Sequence, residues 1–328
     1  MKRALTGLQP TGTMHIGNYL GAILPAVALQ KDFETFVCVV DLHAITVDYD
    51  PKTLSQNCYH LLATLIAAGI DPEKTILFVQ SQVPEHTELA WFFTTITSLG
   101  ALHRMTQFKE KREKVEVLSA GLLNYPILQA ADIALHKADV VPVGEDQLQH
   151  LELSRVIIRR FNSLFGKTFP EPESKVAKGK ARIMSLSDPE KKMSKSVDGS
   201  FIGLTDSDAE ITKKIKRAVT DVGPQDSKTM SPGMANLFTL VESFSKKEVY
   251  EKFKKDYQAG NLKYADLKGQ LIEDMLRFLS PLREKILELE RDHKKLDQLA
   301  KAGAAKASSV ARKTIQEVRK KMGLFAID

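Results

Sequence analysis

The sequence predicts an α/β protein, a doubly wound parallel sheet with a second, all-helical domain. Two patterns carry that expectation. Through the first two hundred residues, short β-branched and apolar runs alternate with amphipathic helical stretches, as a parallel sheet with crossover helices requires. After about Ser200 the strand signals fade and apolar residues recur at helical spacing. At 328 residues the chain is long enough for two domains.

The first strand is the apolar run 4–8. It breaks at Gly12 between two threonines, and His15-Ile16-Gly17-Asn18 opens an amphipathic segment carrying Tyr19, Leu20, Ile23 and Leu24. At a strand-turn-helix junction the first helical N–H groups are unpaired and the helix dipole points its positive end outward, so the turn can hold phosphate. Gly7, Gly12 and Gly17 would let a ligand come close to the backbone. Residues 35–40 (T-F-V-C-V-V) are apolar on both faces and too short for a helix, as in a buried parallel strand. They end at Asp41-Leu42-His43, and ligands of open α/β sheets lie outside the carboxyl ends of strands. Residues 51–69 read as a helix with Pro51 in its first turn and Gly69 at its C-terminal cap. Residues 76–79 then form a third strand and 85–99 a helix.

Residues 107–114 are a mixed-charge run of the kind that usually covers solvated surface. Beyond it, Tyr125, Gln129 and Asp132 fall at i, i+4 and i+7, on one face of an otherwise apolar helix. A carboxylate on such a face must find a partner or becomes costly to bury. Residues 140–143 give a fourth strand, and Gly144-Glu145-Asp146-Gln147 a strand-to-helix turn at the sheet's carboxyl edge, where acidic residues also suit a helix N-terminus. Composition shifts to Pro, Gly, Lys and Ser over 165–180, which predicts a mobile loop. Lys192-Met193-Ser194-Lys195-Ser196 then sets two lysines three apart on a serine-bearing loop, able to close over a triphosphate. Helices are expected over 209–219, 235–244, 247–258, 264–297 and 308–322, with breaks at Gly223-Pro224, Pro232-Gly233 and Gly260-Asn261 and a kink at Pro281.

Charge and cysteines narrow the classes. The net charge is +6 and the pI near 9.0, compatible with a polyanionic partner. Residues 291–328 hold ten basic and four acidic residues, an excess as large as that of the whole chain. A solvated helix face is the competing reading of that excess. Cys38 and Cys58 are the two cysteines, without C-x-x-C or H-E-x-x-H, so neither a structural metal site nor a disulfide framework is expected. No window reaches the roughly 18 apolar residues of a membrane span, and Met1-Lys2-Arg3 lacks the apolar core of a signal peptide, so a cytoplasmic protein with no membrane partner is expected.

The His15–Asn18 junction and the Lys192–Ser196 run together resemble the two signature motifs of the class I aminoacyl-tRNA synthetases. Asn18 as the last residue of the first motif, and V-P-V-G-E-D-Q-L-Q-H-L-E-L-S-R from Val141 to Arg155, are similar to the bacterial tryptophanyl branch. The resemblance implies a Rossmann-like catalytic domain over 1–196 and a helical anticodon-binding domain over 197–295. It implies a basic helix over 296–328 returning to the catalytic body, and a homodimer. It implies activation of L-tryptophan with ATP, which arrives with Mg²⁺ and no organic cofactor, and transfer of tryptophan to tRNA(Trp).

By the same resemblance His15, Asn18, Lys111, Lys192 and Lys195 serve the catalytic step. Gln9, Gly17, Gly144, Asp146, Ile183 and Met193 bind ATP. Asp132, Tyr125, Gln147, Gln129, His43, Gly7, Val141 and Val143 bind the amino acid, with Asp132 accepting the indole N–H. One departure is Gln129, where the tryptophanyl pattern carries methionine. Tyr-Pro-x-x-Gln-x-x-Asp is closer to the tyrosyl branch, so a tyrosyl enzyme stays open as an alternative, as does a tRNA-binding paralogue without catalysis.

Overall fold

The computed structural model describes residues 1–108, 118–144, 147–176, 183–194, 197, 199–220 and 230–325. The chain divides into two compact units, one comprising Met1–Gly12, Ala22–Lys178 and Asp292–Asp328, the other Thr13–Gly21 and Gly179–Arg291.

The first unit is built on five strands: β1 (Arg3–Leu8), β2 (Glu34–Val39), β3 (Thr75–Val79), β4 (Val140–Val143) and β5 (Glu173–Val176). Their order is β3-β2-β1-β4-β5 and every pairing is parallel. The order reverses between β1 and β4, and such a switch point opens a crevice at the carboxyl ends of its strands. Successive side chains of a strand face opposite ways. On one face Leu5, Phe36, Cys38 and Phe78 enter the large core with Phe93, Ile127, Ile157 and Phe161. On the other, Ala4 packs with Leu29 and Val140. Both faces are therefore covered, which is why the strands read as continuous apolar runs.

In chain order the helices are α1 (Ile16–Asn18), α2 (Leu24–Leu29), α3 (Asp41–Ala44), α4 (Pro51–Ala67), α5 (Glu85–Ile96), α6 (Leu99–His103), α7 (Ala120–Leu135), α8 (Leu148–Phe165), α9 (Asp208–Arg217), α10 (Pro232–Phe244), α11 (Lys247–Gln258), α12 (Tyr264–Arg291) and α13 (His293–Met322). A π-helical turn, Tyr19–Ile23, joins α1 to α2. Local chemistry fixes several ends: Asp50 caps α4 through Lys52 N–H ahead of Pro51, and Ser207 with Glu210 forms a capping box on α9.

Three expectations need correction. The Pro- and Lys-rich stretch 165–180 contains β5, an edge strand whose Glu173, Ser174 and Lys175 are exposed and so carry no apolar alternation. Pro232-Gly233 does not break a helix. Pro232 occupies the first turn of α10 and Ser231 caps it through Met234 N–H. The last two helices meet near Asp292, which caps α13 through Lys295 N–H, rather than being separated by a gap before Ser308. The Ala- and Gly-rich run 302–307, between the helices expected over 264–297 and 308–322, carries no large side chain. It is the segment of α13 that lies against β3, where a Cβ on Gly303 would come 1.8 Å from the Leu77 carbonyl oxygen. Ala304, Ala307, Ala311, Ile315 and Val318 continue that packing into the core.

In the second unit, α9 to α12 pack around Ile211, Ile215, Leu237, Val241, Leu271 and Met275, all fully or almost fully buried. No helix among the described residues is long and apolar enough to cross a membrane.

Candidate functional site

In the first unit, the carboxyl ends of β2 and β3 and the polar face of α7 converge on Asp132. The residue is 3% exposed, and three donors reach its carboxylate. His43 Nε2 lies 2.8 Å from Oδ2. Gln80 Nε2 lies 2.7 Å from Oδ1, and His86 Nδ1 is also 2.7 Å from Oδ1. Burial alone would raise the carboxyl's pKa. The neighbouring His86 and the hydrogen bonds from His43 and His86 outweigh it, and the group stays well below the usual carboxylate range. His86 Nε2 in turn stands 3.2 Å from His136 Nε2. Burial, with His86 and Arg3 nearby, holds His136 well below its ordinary value.

A second polar group adjoins through His43, whose ring meets Tyr125 edge-on at 6.4 Å. Tyr125 Oη donates to Gln107 Oε1 at 3.2 Å and lies 2.9 Å from His150 Nε2. Burial pushes its phenol up to about 12. Gln129, on the same face of α7, and Gln147 are half-buried. Val141 is buried, Val143 half-buried, and Gly7, Gln9 and Gly144 are exposed at the carboxyl ends of β1 and β4. Asp41 has a structural task. Its Oδ1 accepts from Leu42 N–H and Ser81 N–H, tying the loop after β2 to the loop after β3.

In the second unit, His15 caps α1. Its Nδ1 accepts from Gly17 N–H at 3.1 Å and Asn18 N–H at 3.3 Å, and Asn18 Oδ1 accepts from His15 N–H at 3.1 Å. A neutral ring whose Nδ1 accepts carries its proton on Nε2, so the cap also sets the tautomer. Gly17 is required here, because a Cβ would sit 2.9 Å from His15 Cε1. The segment is hydrogen-bonded into its unit by Ile16 N–H to the Ile202 carbonyl and Leu204 N–H to the Met14 carbonyl.

Residues 183–194 belong to the same unit, and the Gly17 Cβ position is 3.9 Å from Ile183 Cβ, so the first signature stretch lies against the segment that leads into the second. Met193 N–H donates to the Ile183 carbonyl. Ile183 and Met193 are buried while Lys192 is exposed. Asn236 of α10 clamps the start of the stretch, accepting from Met184 N–H and donating to the Met184 carbonyl, both at 3.0 Å. Lys111, Asp146 and Lys195 lie outside the described residues. Among the described residues, no group of three His, Cys, Asp or Glu side chains could hold a metal ion.

The family model of the class I tRNA synthetases (W and Y) matches residues 1–280. The chain belongs to that family. It is 46% identical over 332 residues to the tryptophan–tRNA ligase of Caldanaerobacter subterraneus, covering the whole of both chains. Among solved structures it resembles the Campylobacter jejuni tryptophanyl-tRNA synthetase complexed with ADP and tryptophan. That likeness has a TM-score of 0.87 at 35% identity and covers 98% of this chain and 100% of that one. The Mycoplasma pneumoniae tryptophanyl-tRNA synthetase gives 0.88 at 38% identity, over 99% and 98%.

For a class I synthetase of this group, sequence reasoning missed the polar partners behind the expected residues: Gln80, His86, His136, Gln107, His150 and Asn236. Two left a usable signal. Gln80 directly follows β3, and the rule that ligands gather at strand carboxyl ends applies to it as it does to His43. His136 continues the i, i+4, i+7 series of α7 at i+11.

Proposed function

We propose that the protein is a tryptophan–tRNA ligase, and the observation that carries this is its likeness to such ligases over its entire length. In the first step an oxygen of the tryptophan carboxylate forms a bond to the α-phosphorus of ATP. The bond to the bridging oxygen breaks, and pyrophosphate leaves with the extra charge. In the second, a terminal hydroxyl of tRNA(Trp) attacks the adenylate's carbonyl and AMP departs. The attacking carboxylate is already ionised, so no side-chain nucleophile is needed. The protein's part is to orient the reactants and to stabilise charge on the phosphates.

His15 Nε2–H, Asn18, Lys111, Lys192 and Lys195 supply donors to the phosphates, with Gln9 nearby. Gly17, Ile183 and Met193 flank the adenosine and Gly144 and Asp146 its ribose. Mg²⁺ enters bound to ATP, because it prefers phosphate oxygens and water to an all-protein cage. Tyr125, Gln129 and Gln147 face the amino acid's ammonium and carboxylate. Gly7, His43, Val141 and Val143 surround the indole ring. A carboxylate offers about four acceptor positions. Asp132 spends three on Gln80, His86 and His43, and the fourth accepts the indole N–H.

The helices α9 to α12 read the anticodon, and the basic face of α13 meets tRNA phosphates. The enzyme acts as a cytoplasmic homodimer. Charging of a tRNA(Trp) transcript by the full chain with ATP and radiolabelled tryptophan tests this reading. Tryptophan esterified to that tRNA is expected. Charging of a tyrosine tRNA with tyrosine, or of neither, overturns it. Lys195→Ala should slow adenylate formation by roughly 10²- to 10³-fold, as the loss of one preorganised donor does.

A further inference from the structure

We propose that Gln80 and His86 are positioning residues for amino acid selection: by filling Oδ1 of Asp132 they hold the carboxylate turned so that Oδ2 accepts the substrate's indole N–H. The inference rests on the tryptophan ligase reading and deepens it.

The geometry is specific to one oxygen. Oδ1 receives Gln80 Nε2 and His86 Nδ1, both at 2.7 Å. Oδ2 receives His43 Nε2 alone among the described partners. The half-turn about the Cβ–Cγ bond that exchanges the two equivalent oxygens returns the same arrangement, whereas any intermediate rotation misaligns all three hydrogen bonds, so the carboxylate plane is fixed. Both holding residues are themselves fixed. Gln80 is the first residue after β3, fully buried. His86, also fully buried, stands in the first turn of α5, stacks on Phe78 with ring centroids 5.8 Å apart, and is backed by His136. His136 stacks on Phe36 at 4.6 Å.

A polar cluster kept only for packing would be expected to pair its atoms or give way to apolar side chains, which are often equally stable. Here no protein group pairs with Gln80 Oε1 or His136 Nδ1, while every donor that faces Asp132 is aimed at its carboxylate. An acceptor aimed at a substrate N–H also rejects analogues that lack it, since the buried carboxylate then stays incompletely paired.

The test is ATP–pyrophosphate exchange with tryptophan and with β-(3-benzothienyl)alanine, the isostere carrying sulfur in place of the indole N–H, on the full-length protein. The readout is the ratio of the two kcat/KM values. For Gln80→Met and His86→Phe the ratio should fall by about tenfold or more, while KM for ATP and kcat at saturating tryptophan stay within a few-fold. His86→Asn, whose amide N–H stands near the place of Nδ1–H, should recover most of the ratio. It also serves, with Gln80→Met, if His86→Phe does not fold. A parent that prefers tryptophan, with folded variants that keep its ratio, overturns this proposal alone. So does a parallel loss of both substrates without a change in ratio. A parent that exchanges with neither compound overturns the ligase reading together with this one.

Discussion

His15, Gly17 and Asn18 show how one turn can combine a structural and a chemical role. The His15 ring is held by two backbone N–H groups, and glycine at 17 leaves the ring its place. Gly17→Ala puts a methyl group 2.9 Å from His15 Cε1, and either the ring or the cap must yield. If Nε2–H is then lost to the phosphates, adenylate formation should slow by up to about 10²-fold while tryptophan affinity in equilibrium dialysis stays near the parent's. An unchanged exchange rate would mean that the cap has no part in ATP chemistry. At this scale the expected side chains were legible because they sit at strand ends or share one helix face. Their partners were legible only in part, Gln80 by its place after β3 and His136 by its spacing on α7, and their meeting was not. Gln80, His86 and His136 come from three elements, and no spacing in the sequence says that β3, α5 and α7 meet at Asp132.

Among the elements, α13 is the clearest case of a helix whose composition misleads. Its Ala- and Gly-rich middle has poor apolar periodicity because close approach to β3 excludes large side chains there. Gly303→Ala would place a methyl carbon 1.8 Å from the Leu77 carbonyl oxygen, so the helix must lift. A loss of about 1–3 kcal/mol or more is expected, read as a lowered urea midpoint, and a parent-like midpoint would refute the packing described. On the opposite side of the same helix, Lys295, Lys306, Lys313 and Lys320 are all exposed. At about 100° per residue they fall within roughly 40° of one another along some 37 Å of helix. Neutralising Lys313 and Lys320 to Gln should flatten the salt dependence of tRNA binding by up to about 0.9 log unit for each lost duplex contact. An unchanged slope would identify the stripe as ordinary solvated surface. The strands were legible for the opposite reason: four of them are covered on both faces and written in apolar runs, whereas β5, at the edge, is written in exposed polar residues.

For the whole molecule, the buried cluster couples folding to pH. His136 is held well below its ordinary value of 6.5 by burial and by His86 and Arg3, with Asp132 opposing them. The folded chain therefore binds fewer protons than the unfolded chain once the pH drops below about 6.5, and stability must fall as pH falls. Asp132, depressed from 3.8, acts in the same direction at lower pH: its contribution is complete above the unfolded value and is lost as pH falls through the folded one. Urea midpoints should decline from pH 7 to pH 5 in the parent and decline less in His136→Gln. Equal slopes in the two proteins would mean that His136 does not couple folding to pH. Activation of tryptophan is read out by ATP–pyrophosphate exchange with the purified full chain, run separately with tryptophan, tyrosine and phenylalanine. Exchange should depend on tryptophan and be far weaker with the other two; exchange that depends on tyrosine, or on none of the three, would refute tryptophan activation.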